Sequence, residues 1–67
     1  MHNNEAAKYD LLAIAQKSIQ ASRSAIAKLL DATPLDDLEA NAQLGPILAE
    51  LRTSEAILKR LSQRYDA

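Results

Sequence analysis

The fold class this sequence predicts is all-α, an antiparallel helical hairpin, and three observations predict it. Ala, Leu and Ile supply nearly all the apolar residues of a chain that is 48% apolar, and these are good helix formers or common bundle-core residues. The stretch from Asn4 to Asp31 contains neither Gly nor Pro and carries apolar residues at helical spacing, the mark of one long helix. A second stretch, from Pro34 to Tyr65, repeats apolar residues every seven positions, so a second arm of similar length can lie against the first.

The first helix is expected over residues 4–31. Asn3 or Asn4 can accept hydrogen bonds from the free amides of the first turn, and Glu5 sits where the helix dipole favours a negative charge. Leu12, Ile19 and Ile26 form one row on this helix, with Ala15, Ser22 and Leu29 beside it. Leu11, Ser18 and Ala25, edged by Ile14 and Ala21, form another. Together the rows span about half the circumference, more than the ~100° stripe that a single neighbour covers.

A turn at 32–33 follows. Thr33 can cap a new helix, Pro34 suits its first position, and Asp36, Asp37 and Glu39 place acids near its N-terminus. Leu35, Leu38 and Ala42 then continue at helical spacing. A helix is therefore expected over residues 34–44, until Gly45-Pro46, where the missing amide hydrogen and the ring clash predict a kink or break. Beyond it, over residues 46–65, Leu44, Leu51, Leu58 and Tyr65 recur as a coiled-coil-like seam. Sliding the two arms until their heptads coincide sets Leu12 opposite Leu58, Ile19 opposite Leu51 and Ile26 opposite Leu44, with Tyr9 near Leu61 and Leu38 near Leu29 or Leu30. These six, Leu12, Ile19, Ile26, Leu44, Leu51 and Leu58, are the expected intramolecular seam.

The chain has 67 residues and is read as one domain. A chain this short rarely stabilises itself without a disulfide, a metal or a partner. It has no Cys and one His, which removes the first support and nearly removes the second. A partner remains. Packing two arms would leave Leu11, Ile14, Ser18, Ala21 and Ala25 in water, so these five are the expected association face. The expected assembly is a four-helix bundle, made by two hairpins or by one hairpin and another helical protein.

Eight basic and nine acidic residues give a net charge of -1, too balanced to attract nucleic acid or anionic lipid over the whole surface. No apolar run is long enough for a membrane span, and a cytoplasmic protein is expected. No phosphate-binding glycine loop, ligand-spaced Cys and His set or nucleophile elbow is present, so no catalytic residue, cofactor, metal or small-molecule substrate is assigned. His2 has no second base or nucleophile spaced to meet it. Asp36, Asp37 and Glu39 could draw a cation, but the first turn of a helix favours acids without one. Arg52, Lys59, Arg60 and Arg64 concentrate basic charge in the last helix, where cations complement the dipole, and Glu55 to Lys59 is a favourable i,i+4 pair.

Three resemblances follow from these features. In size and topology the chain looks like small plasmid-encoded hairpins that dimerise into a four-helix bundle and bind paired RNA loops, with Lys17, Arg23 and Lys28 among polar Gln16, Gln20 and Ser24; this implies a dimeric RNA-binding regulator. The string Ser62-Gln63-Arg64-Tyr65-Asp66 is similar to the Ser-Gln-Glu-Leu-Asp signature of helical-hairpin phosphatases acting on aspartyl-phosphate response regulators. Ser62, Gln63 and Asp66 match it, while Arg64 and Tyr65 do not. Size, lack of Cys, surplus apolar face and polar turn also resemble the small hairpin co-chaperones of type III secretion, which implies pairing with a larger helical-repeat chaperone. The functional expectation is a non-enzymatic helical adaptor, regulator or co-chaperone; an RNA-binding regulator is the alternative, and a phosphatase the third reading.

Overall fold

A computed structural model describes residues 4–66, with side-chain surroundings for 7–65. The protein is a two-helix antiparallel hairpin, α1 (Asn4–Ala32) and α2 (Leu38–Asp66), each of 29 residues. At 1.5 Å per residue each arm is about 43 Å long. The pair forms a rod of 54 × 16 × 13 Å. The expected capping by Asn3, Asn4 and Glu5 lies outside the described side chains, as does His2.

The less exposed residues reveal one continuous seam. On α1 they include Leu12, Gln16, Ile19, Arg23, Ile26 and Leu30. On α2 they include Asn41, Leu44, Leu48, Leu51, Glu55, Leu58, Ser62 and Tyr65. Both sets step by alternating threes and fours, the spacing that keeps a stripe facing one partner helix. Among the described residues, Leu12 and Leu48, each 7% exposed, are the buried hydrophobic ones. The core is correspondingly thin.

The connection corrects the sequence reading in three respects. Residues 33–37 form the turn, and α2 begins at Leu38 rather than at 34. Thr33 does not cap α2, because its hydroxyl donates to the Leu29 carbonyl at 2.7 Å and closes the end of α1. Asp37 is the cap: its Oδ1 accepts the Ala40 amide at 3.1 Å, which satisfies a donor that the helix itself cannot. The Asn41 side chain fastens the turn from inside α2, donating to the carbonyls of Pro34 at 2.9 Å and Asp37 at 2.8 Å.

The longer turn also moves the register. Tyr9 meets Tyr65 rather than Leu61, with ring centroids 5.8 Å apart and planes at 86°, and its hydroxyl donates to the Tyr65 carbonyl. Counting along both seams from that contact sets Leu12 level with Ser62, Ile19 with Glu55, Ile26 with Leu48, and Leu30 with Leu44. The shift from the sequence-based alignment is about one helical turn. Leu35 and Leu38 do not pack on α1; they are 90% and 76% exposed at the tip of the hairpin.

The separate helices expected over 34–44 and 46–65 are one helix, with Pro46 inside it. Proline leaves the Ala42 carbonyl without its usual amide. Ala42 and Pro46 are both exposed, so water can take the place of that donor. Gly45 has a negative φ and no atom within 4 Å of where a Cβ would stand, and the turn chemistry for which glycine is often kept does not apply here.

Candidate association surface

Antiparallel packing gives the hairpin two broad sides, and the positions flanking the seam decide their character. On one side stand Lys8, Ala15, Ser22 and Leu29 of α1 with Ala40, Ile47, Ser54 and Leu61 of α2. On the other stand Ala13, Gln20 and Ala27 with Gly45, Arg52 and Lys59. One helical step further out, the first side adds Leu11, Ser18 and Ala25 of α1 with Gln43, Glu50, Ile57 and Arg64 of α2, whereas the second adds Asp10, Lys17, Ser24 and Asp31 with Ala42, Ala49, Ala56 and Gln63. The first side carries the large apolar residues Leu11, Leu29, Ile47, Ile57 and Leu61 beside Lys8, Glu50 and Arg64, whereas the apolar residues of the second are alanine and glycine alone.

Exposure supports this division. Leu11, Leu29, Ile47 and Ile57 on the apolar side are exposed, and Leu61 is half-buried. Two shallow depressions open along α2, one lined in part by Pro46, Ile47, Glu50 and Ser54, the other by Ile57, Arg60, Leu61 and Arg64. Both contain flanking positions of the apolar side.

The residues expected to associate are all exposed, but they do not share one orientation. Leu11, Ser18 and Ala25 belong to the apolar side, while Ile14 and Ala21 sit at the outer edge of α1, opposite the seam. Of the six expected seam residues, Leu12 is buried and Ile19, Ile26, Leu44, Leu51 and Leu58 are half-buried. Leu30 and Leu48 belong to the seam as well and were not among those six. Their signal was the alternating spacing of 44, 48, 51, 55 and 58, which a strict count of sevens passes over.

Two polar contacts set the alignment of the arms. Arg23 Nε donates to Glu55 Oε1 at 2.6 Å across the seam, with side chains 36% and 27% exposed. Lys8 Nζ lies 5.1 Å from the centroid of the Tyr65 ring, within cation–π range. Arg23 therefore belongs to an ion pair, and the other basic residues are dispersed. Arg52 and Lys59 lie on the polar side, Arg60 on the outer edge of α2 and Arg64 near the apolar side.

The residues resembling the phosphatase signature occupy the end of α2. Ser62 is half-buried in the seam and Gln63 is exposed, so the helix turns them in different directions; the Asp66 side chain lies outside the description. Among the described residues no group of three or more His, Cys, Asp or Glu could hold a metal, so Asp36, Asp37 and Glu39 do not converge on one. No described helix is long and apolar enough to cross a membrane. No family model, curated protein or solved structure matches this chain.

Proposed function

We propose that this protein is a non-enzymatic helical association module, an adaptor or co-chaperone that works by packing its apolar side against helices of a protein partner. Excess surface is the observation that carries the reading. The hairpin exposes 5156 Å², whereas a compact monomer of 7.3 kDa exposes about 4,200 Å². The excess of about 1,000 Å² per chain compares with ~800 Å² buried per partner in a standard protein interface. Its radius of gyration, 15.7 Å, exceeds the ~11 Å of a compact domain of the same length, so the excess is that of an elongated rod. Leu11, Leu29, Ile47 and Ile57, exposed on one side of the rod, would be covered by a layer of helices completing a bundle.

The test compares the native chain with a variant carrying Leu11→Glu and Ile57→Glu, both exposed and outside the seam. Each protein is measured by sedimentation and used as bait in an extract of its native host, with the captured proteins identified by mass spectrometry. The reading expects helical association, with itself or with an identified helical protein, that the variant loses while keeping its helicity. A native chain that stays a stable 7.3 kDa monomer and captures nothing the variant does not capture equally would refute it.

A further inference from the structure

We infer that the occupant of the apolar side is a second copy of this chain, packed face to face with the two turns at opposite ends; this rests on the association reading above and names its partner. The excess of about 1,000 Å² on each hairpin is on the scale of the ~800 Å² that each partner buries in a standard interface. The pattern on the face then selects a copy of itself over an unrelated helix.

Between Leu11 and Leu29 the apolar side of α1 reads Leu11, Ala15, Ser18, Ser22, Ala25, Leu29, with Lys8 and Ala32 beyond its two ends. This order is the same in both directions about position 20. A two-fold axis crossing α1 at that height therefore sets Leu11 against the partner's Leu29, Ala15 against the partner's Ala25 and Ser18 against the partner's Ser22. Small residues at the middle let the two backbones approach, and the leucines close the ends. An isologous interface requires this kind of self-match.

Position 54 of α2 lies level with position 20 of α1, counting from the Tyr9–Tyr65 contact. Ser54 occupies it, on the apolar side and half-buried. Ile47 and Leu61 lie seven residues to either side of it, so the same axis brings Ile47 against the partner's Leu61 twice. Ile57 and Glu50, one step further out on the same side, fall at the heights of the partner's positions 51 and 58, so α2 matches itself about this axis at Ile47, Ser54 and Leu61 alone. Opposed turns also send the two copies of Lys8 and Arg64 to opposite ends of the bundle, separating like charges.

The absence of cysteine makes single-cysteine variants of the full chain a direct test. Ser54→Cys should form a disulfide-linked dimer readily under mild oxidation, since it stands at the axis. An equimolar mixture of Ser18→Cys and Ser22→Cys should link more than either variant alone. Ser24→Cys, exposed on the polar side, is the control and should link at the background rate. Light scattering on the uncrosslinked chain should give twice the monomer mass at micromolar concentration, and Ile47→Glu should weaken self-association by about tenfold or more.

A monomer at 100 μM with native helicity would overturn the inference. So would a dimer in which Ser24→Cys links as fast as Ser54→Cys, or in which the mixture gains nothing over its components. Identification of a different helical protein captured through the same face, with the chain monomeric, would overturn the second copy alone and leave the association reading standing. Loss of both self-association and capture would remove both.

Discussion

Replacing Pro46 with Ala should stabilise the hairpin, and the magnitude can be built from its surroundings. Proline in a helix interior costs about 3 kcal/mol relative to alanine. Part of that cost is already relieved here, because Ala42 and Pro46 are exposed and the carbonyl left without an amide can be hydrated. Alanine also loosens the unfolded chain, which returns roughly 0.4–1 kcal/mol. A net gain of about 1–2 kcal/mol remains, which in a domain of this size raises the melting temperature by roughly 5–15 °C. Gly45→Ala should add about 0.5–1 kcal/mol on helix propensity, since a Cβ there meets nothing within 4 Å. Thermal and urea unfolding followed by circular dichroism would measure both, at one fixed protein concentration because association shifts the midpoint. A destabilised Pro46→Ala protein would refute the reasoning. It would mean that the shape proline imposes is what aligns Leu44 and Leu48 with Leu51 and Leu58, and that an unconstrained helix loses the seam.

Further substitutions test the caps, the core and the ion pair. Asp37→Ala should cost about 1 kcal/mol in urea unfolding, the usual loss of an N-cap, whereas Asp36→Ala, one residue earlier in the turn, should cost under ~0.5 kcal/mol. Leu48→Ala should cost ~2–3 kcal/mol, while Leu35→Ala should change stability by less than ~0.5 kcal/mol, because Leu48 is 7% and Leu35 90% exposed; equal losses would mean that the seam is misplaced. A double-mutant cycle on Arg23→Ala and Glu55→Ala should give a coupling of roughly 0.5–1 kcal/mol that shrinks with added salt. A coupling of zero at low salt would show that the pair does not hold the register.

The long-range geometry was readable in the sequence where a single property dominated. The gap-free run through α1 and the sevenfold spacing of Leu44, Leu51 and Leu58 were enough to give two arms and an antiparallel hairpin. Its details failed where two chemistries competed for the same residues. Thr33-Pro34 has the composition of a helix start, but the Thr33 hydroxyl is nearer to the carbonyl of Leu29, four residues back, and Asp37 offers a stronger acceptor further on. That one substitution of cap lengthened the turn, moved Tyr9 from Leu61 to Tyr65, and put Leu35 and Leu38 in water. At Gly45-Pro46, where a kink or a break was expected, the helix does not break. The local preference against helix is real, but a seam on both sides of the pair holds the helix through it, and tertiary packing outweighs a penalty of this size. The association side was half legible, since Leu11, Ser18 and Ala25 could be seen to exceed what one neighbour covers. Their continuation onto Ile47, Ile57 and Leu61 could not be seen before the two helices were set side by side in the correct register.

The composition of the seam explains why the protein's apolar surplus lies beside it. Gln16, Arg23, Asn41, Glu55 and Ser62 all occupy seam positions, each at a place where leucine would bury more area. A two-stranded rod with such a seam gives up hydrophobic stabilisation. In exchange, Arg23 and Glu55 favour one alignment of the arms, because sliding the helices by a turn would pull apart their ion pair. Asn41 acts in the same sense at the turn, where its two hydrogen bonds hold only if α2 starts at Leu38. The hairpin is thus specified by polar contacts and only thinly stabilised by apolar ones. Leu11, Leu29, Ile47 and Ile57 supply the missing apolar area on a side that the hairpin cannot cover by itself. On the proposed self-association, stability of the fold and occupancy of that side are linked, and the melting temperature should rise with protein concentration. A melting temperature that stays constant from 1 to 100 μM would separate the two, and would place the stability of the chain in its own seam.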